Sequence, residues 1–239
     1  MEPLPAPPWR KTRPAKPAKP QLNQELIVET GLRIVDREGL DALSMRKVAQ
    51  ELDTGPASLY AHVANKEELL ELIYERVLGD IEVPAPEPER WAEQLREVVI
   101  DMHRELNSHA DVAKVSLARV PLGPNSLRLG EAMLAIMIEG GVPPAIAAIA
   151  LDRIVMFVAA DAYEGSLYTT RQRTSGMDVE TFVADSFGQV ADYVRALPAD
   201  RFPYFTRYAD ELVNPGGEER FELGLDLMIA GLATHVRSG

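Results

Sequence analysis

From Leu22 onward, apolar side chains recur at the three- and four-residue spacing of a helix: Leu22, Leu26, Ile27, Thr30, Ile34 and Val35. Gly39 closes this first helix as a C-cap. Ser44 then precedes Met45, Val48, Ala49 and Leu52, which predicts a second helix with a serine N-cap. Asp53-Thr54-Gly55-Pro56 interrupts the pattern. Pro56 suits the first turn of a short third helix carrying Leu59, Tyr60 and Val63. Asn65 caps a fourth, whose stripe is Leu69, Leu70, Leu72, Ile73 and Val77, with Glu67 and Glu68 favourable in its first turn. Val83-Pro-Ala-Pro-Glu-Pro88 reads as a linker. Beyond it the spacing predicts helices over residues 90–108, 111–120, 126–139, 144–168, 179–195 and 218–237. The polar stretch between Leu167 and Asp178 predicts a mobile loop. No alternating strand pattern appears, so the expected fold class is all-α.

The same pattern divides the chain. Residues 1–20 form a Pro-rich basic arm, 21–66 a helix-turn-helix unit, 67–82 a connecting helix, and 88–239 a larger helical body. The arm carries prolines at 3, 5, 7, 8, 14, 17 and 20, which hold it extended. The most apolar stretch, Val142 to Ala162, includes Asp152, Arg153 and Asp161, so it is expected to be a buried helix and not a membrane span. The N-terminus has no apolar run of signal-peptide length, and a cytoplasmic location is expected.

Charge changes the picture. The net charge of −12 is unusual for a partner of nucleic acid. Yet residues 1–66 hold ten Lys/Arg against eight Asp/Glu, so the rest of the chain is strongly acidic. Arg10, Lys11, Arg13, Lys16 and Lys19 oppose only Glu2 in the arm. Cations gathered at one end suit a phosphate-contacting surface there. The absence of cysteine excludes disulfides, thiolate metal sites and a Cys nucleophile. The four histidines, His62, His103, His109 and His235, show no metal-ligand spacing, and neither a phosphate loop nor a Gly-x-Ser-x-Gly elbow is present. No cofactor, no metal and no enzymatic activity are expected.

Residues 44–66 carry the chemistry. In a helix-turn-helix the second helix enters the major groove with its N-terminal end near the bases. Pro56, Ala57, Ser58, Tyr60, Ala61 and His62 are expected to face the groove and its walls, with Leu52, Leu59 and Val63 packed inward. The hydroxyls and His62 can bond phosphate oxygens, which positions the helix. Lys66 beside a helix N-terminus makes a phosphate site. Arg46 can reach a base edge, most readily guanine O6 and N7. Each of these side chains alone is equally at home in a core or on a solvated surface; their spacing between two capped helices favours DNA.

Leu43-Ser-Met-Arg-Lys-Val-Ala-Gln-Glu-Leu52, Ser58-Leu-Tyr-Ala-His-Val63 and Asn65-Lys-Glu-Glu-Leu-Leu70 resemble the signature of the tetracycline-repressor (TetR) family of transcriptional regulators. His109-Ala-Asp-Val-Ala-Lys-Val115 and Phe221 to Leu232 resemble the C-terminal domain of the tetracycline repressors themselves. The resemblance implies a homodimer that reads a palindromic double-stranded DNA operator and is released by a small-molecule effector. It implies base contact by Arg46 and contacts by Ser44, Met45, Pro56, Ala57, Ser58, Tyr60, His62 and Lys66. Arg10, Lys11 and Arg13 of the arm are expected to reach an A·T-rich minor groove.

The resemblance also places a pocket at Val98, Met102, Ser116, Arg119, Met133, Met137, Met156, Ala160 and Glu164. A histidine that ligates drug-bound magnesium in those repressors corresponds to Ser116 here. Serine is a poor ligand, so a magnesium–tetracycline complex is not the expected effector. Val and Met at the other positions suggest an apolar or aromatic compound, with Arg119 to pair an anionic one. Segments 144–164 and 218–237 are expected to form the dimer face, Gly224 and Gly231 allowing close approach beside Leu227, Met228 and Leu232. An activator of the same fold, or a binding protein that no longer meets DNA, fits the same residues.

Overall fold

A computed structural model describes residues 21–109, 111–118, 122–213 and 217–236. The arm with Arg10, Lys11 and Arg13, and the pocket candidate Arg119, lie outside the described residues. The described residues form helices, with no strand among them.

The first four helices are set by their caps. Helix α1 (Gln24–Glu38) starts where the Asn23 side chain accepts the Leu26 amide at 2.8 Å, and it ends at Gly39 with φ 86°. Helix α2 (Met45–Glu51) starts where Ser44 accepts the Lys47 amide at 3.2 Å. Asp53 then takes φ 48°, and Pro56 opens α3 (Pro56–Leu59). This helix is shorter than the sequence pattern predicts. The chain needs Val63 buried and Asn65 extended as the cap of α4 (Lys66–Gly79), so Tyr60, Ala61 and His62 form a tight turn instead. Asn65 accepts the Glu68 amide at 2.8 Å.

The linker is anchored by one buried amide. Gln94 accepts the Glu87 amide at 2.7 Å and donates to the Ala85 carbonyl at 2.9 Å. The body then comprises α5 (Trp91–Ser108), α6 (Ala113–Ala118), α7 (Pro124–Glu139), α8 (Pro144–Ser175), α9 (Val179–Arg195), α10 (Pro203–Arg207), α11 (Ala209–Leu212) and α12 (Gly217–Ala233). Buried apolar residues of α1–α5, α7, α8 and α12 join in one core, so α4 packs at once against α1 and against the body.

Two expectations are corrected. The predicted loop after Leu167 is helix: α8 runs to Ser175 and stops only at Gly176, φ 71°. Polarity made that stretch resemble a loop, but no breaker lies between Gly165 and Gly176. Residues 142–162 are buried on one face only, because Ile149 and Met156 are exposed. Helices α10 and α11 have too few residues for a detectable period. Among the described residues no helix is long and apolar enough to cross a membrane.

Candidate nucleic-acid interface and ligand cavity

Arg46, Pro56, Ala57, Ser58 and Tyr60 are all exposed, Tyr60 to 53%. Arg46 borders an open depression of about 630 Å³ with Gln50, Thr54, Gly55 and Pro56. Gln50 was not singled out from sequence, although it lies one turn beyond Arg46 on the same face. The neighbouring cations are already engaged: Lys47 pairs with Glu38, and Arg37 with Glu38 and Glu51. Among the described residues Arg46 and Lys66 form no ion pair, which leaves both for an external anion.

Three expected contacts sit differently. Met45 is only 8% exposed and belongs to the core beside Val48 and Ala49, because the first position of α2 faces α1. Its side chain is thus turned from the surface where DNA contact was expected. Ser44 is exposed, but its hydroxyl already caps α2. His62 is half-buried, and its carbonyl accepts from Gln24 at 3.2 Å, tying the turn to α1.

A cavity of about 720 Å³ lies between α4, α5, α6, α7 and α8. Of the candidate pocket residues, Met102, Ser116, Met133 and Met156 line it. Val98 and Met137 do not: both are buried in the packed core. Ala160 is exposed on α8, and Glu164 borders a separate cleft. Tyr74, Leu78, Leu151 and Val155 line the cavity without having been singled out. They carry the ordinary 3.6-residue core pattern, which does not separate a cavity wall from a filled interior. Burial pushes the Tyr74 hydroxyl up to about 12, and a hydrogen bond with Ser116 acts the other way. No group of three His, Asp or Glu side chains that could hold a metal is present among the described residues.

The cavity touches α4 and the start of α7, and those two helices cap each other. The Glu75 carboxylate accepts the Asn125 amide at 2.6 Å, the Ser126 amide at 3.2 Å and the Ser126 hydroxyl. In return Arg128 donates to the Leu78 and Ile81 carbonyls at 3.0 and 2.9 Å. Charge thus complements both helix ends. A second strut joins α1 to the segment before α6. His109 Nδ1 lies 3.1 Å from both Asp36 carboxylate oxygens, and Asp111 accepts the Leu40 amide at 3.4 Å.

Ile149 of α8 and Leu223 and Leu227 of α12 are exposed and line neither the cavity nor any helix contact described above. Gly224 is not part of that surface in the way the sequence suggests. A Cβ there would meet Phe157 of the same chain at 2.8 Å, so its small size serves the α8–α12 packing. A Cβ on Gly231 meets nothing.

The signature described as "Bacterial regulatory proteins, tetR family" matches residues 27–73, and that of the "Tetracyclin repressor-like, C-terminal domain" matches 83–236. The chain is 30% identical over 222 residues to the HTH-type transcriptional repressor DrrR1 of Streptomyces coeruleorubidus, covering 92% of this chain and 80% of that one. It is 42% identical to apo ActR of Streptomyces coelicolor, with a TM-score of 0.80 over 92% of this chain and 98% of that one. ActR in complex with actinorhodin gives the same identity and TM-score, over 90% and 97%. A reader surface with uncommitted cations, an apolar cavity against the connecting helix and these likenesses agree: the chain belongs to the TetR family of ligand-responsive transcriptional regulators.

Proposed function

We propose that this protein is a transcriptional repressor that binds a palindromic operator as a homodimer and leaves it when a small molecule fills the α4–α8 cavity. The observation that carries the reading is the placement of that cavity: it borders Tyr74 and Leu78 of α4, the helix that begins at Lys66 beside the reader. Residues 21–66 act as the reader, 67–82 as the connection, and 88–239 as the sensing and dimerising body. Arg46 reads a base; Ser58, Tyr60, His62 and Lys66, with Pro56 and Ala57 beside them, grip the backbone. The protein works in the cytoplasm, where its operator is, and has no enzymatic role.

The effector is an apolar or aromatic compound. Met102, Met133 and Met156 supply an adaptable apolar wall, and Ser116 offers no metal-ligating nitrogen. ActR, with the same domain pair, holds actinorhodin in a solved complex. Titration with tetracycline plus magnesium is expected to give no binding; tight binding overturns this effector class. The arm extends the footprint into the minor groove, so deleting residues 1–19 is expected to weaken operator binding and flatten its salt dependence. An unchanged salt slope sinks the arm contact. For the reading as a whole, the full chain is titrated onto DNA flanking its own gene in an electrophoretic shift assay. A sequence-specific shift, lost in Arg46→Ala, is expected; no shift, or one of equal strength on unrelated DNA, rejects it.

A further inference from the structure

A second cleft, of about 580 Å³, lies between α5, α8, α9 and the first turn of α12. It shares no lining residue with the α4–α8 cavity. Val155 faces the cavity and Glu164 the cleft, and residues nine apart project from opposite sides of a helix, about 180° around its axis. The volume is that of a small-molecule site.

Its floor is built and rigid. His103 is only 7% exposed, with Nε2 2.7 Å from Asp161 Oδ2 and 2.8 Å from Asn107 Nδ2. Phe221 stacks on its ring at 3.5 Å and 7°, and Phe157 stacks on Phe221 at 4.9 Å. A buried ring nitrogen facing an open cleft is costly unless it is satisfied, and here the part-buried Asp161 carboxylate satisfies it.

The charges around it favour one ligand class. Both lining arginines are engaged: Arg220 lies 2.7 Å from Glu164 and 3.9 Å from Asp161, and Arg104 lies 2.7 Å from Asp101. Glu218 also lines the cleft and has no ion pair among the described residues. Asp161 and Glu164 are held by His103 and Arg220, so a cation meets one unpaired carboxylate, Glu218, whereas an anion meets no unpaired arginine among the lining residues. Tyr168 and Phe187 meet at 5.4 Å with a 32° tilt and close one side with aromatic faces. Ring faces attract cations and also cover an apolar body.

We propose that this cleft is a second small-molecule site, separate from the α4–α8 cavity, and that it takes an organic cation with an apolar body. The proposal stands independently of operator binding and of the effector in the first cavity.

The test uses the full chain without DNA. Fluorescence anisotropy follows two probes of similar size, the cation rhodamine 6G and the anion fluorescein. Rhodamine 6G is expected to bind saturably and fluorescein not. Glu164→Gln with Glu218→Gln is expected to weaken rhodamine 6G about tenfold or more, the scale of one lost charge interaction. Glu218→Gln alone, at an exposed position, is expected to weaken it in part and guards against a folding defect in the double variant. Met133→Trp, which fills the first cavity, is expected to leave rhodamine 6G binding unchanged. Absence of saturable rhodamine 6G binding, equal binding of fluorescein, indifference to the two glutamate changes, or loss of binding in Met133→Trp each overturns the proposal. A chain that shifts operator DNA normally and still fails this test separates the two readings.

Discussion

Glu75 and Ser126 are 51 residues apart in the chain and are joined by hydrogen bonds from the Ser126 amide at 3.2 Å and from its hydroxyl. Ser126 also lines the α4–α8 cavity. A compound that competes for that hydroxyl acts directly on the helix leading to the reader.

Removing the carboxylate strands the Asn125 and Ser126 amides. Glu75→Ala is expected to cost about 1–3 kcal/mol, the desolvation cost of part-buried donors left unpaired. Gly123→Ala is expected to be comparably harmful, because its Cβ would sit 2.2 Å from the Glu75 carboxyl carbon. In the Glu75→Ala background that clash is gone, so the double variant is expected to be well short of additive. Denaturant unfolding of the four proteins checks this; simple additivity rejects the clash.

Tyr74 gives an alkaline signature. Its hydroxyl is raised by burial from 10.0 to about 12, so the folded state holds the proton more tightly than the unfolded one. The contribution is therefore complete below pH 10 and is lost as pH rises toward 12. The loss is about 2–3 kcal/mol at two pH units of difference. Tyr74→Phe is expected to flatten stability over that window, measured by denaturant midpoints at pH 9 to 11.5. A wild-type curve no steeper than that of the variant refutes the link.

Ser44 and Arg46 separate folding from reading. Ser44→Ala removes the α2 cap and is expected to cost about 1 kcal/mol of stability. Arg46→Ala removes an exposed side chain and is expected to leave the melting temperature unchanged while weakening operator binding about tenfold to a hundredfold. Calorimetry paired with DNA anisotropy distinguishes them. A melting shift in Arg46→Ala without a loss of DNA affinity reverses the assignment.

The dimer face is tested at Leu227, which is 68% exposed on α12. Leu223→Glu with Leu227→Glu is expected to give a folded monomer in sedimentation velocity and to abolish tight operator binding. A variant that keeps the wild-type mass excludes this face.

Much of the reader was legible from residue type and spacing. Asn23, Ser44 and Asn65 each cap the helix they precede, because capping is a three-residue event that local sequence specifies. The burial of Met45 was not legible, because a first-position residue of a short helix can face either way. The body was less legible. Val98 and Met137 follow the family pocket by position, yet the local packing of α5 and α7 turns them into the core. Tyr74 joins the cavity through a fold-level juxtaposition of α4 with α6 and α7. His103 and Asp161 lie 58 residues apart, and nothing in either neighbourhood points to the other.

The uninterrupted run of α8 to Ser175 has a mechanical consequence. Its 32 residues make a rod about 48 Å long. The α4–α8 cavity rests on the rod's first half and the polar cleft on its second. Had residues 168–178 been a loop, Tyr168 would stand at its frayed edge; as it is, seven further helical residues continue past it and hold its ring against Phe187.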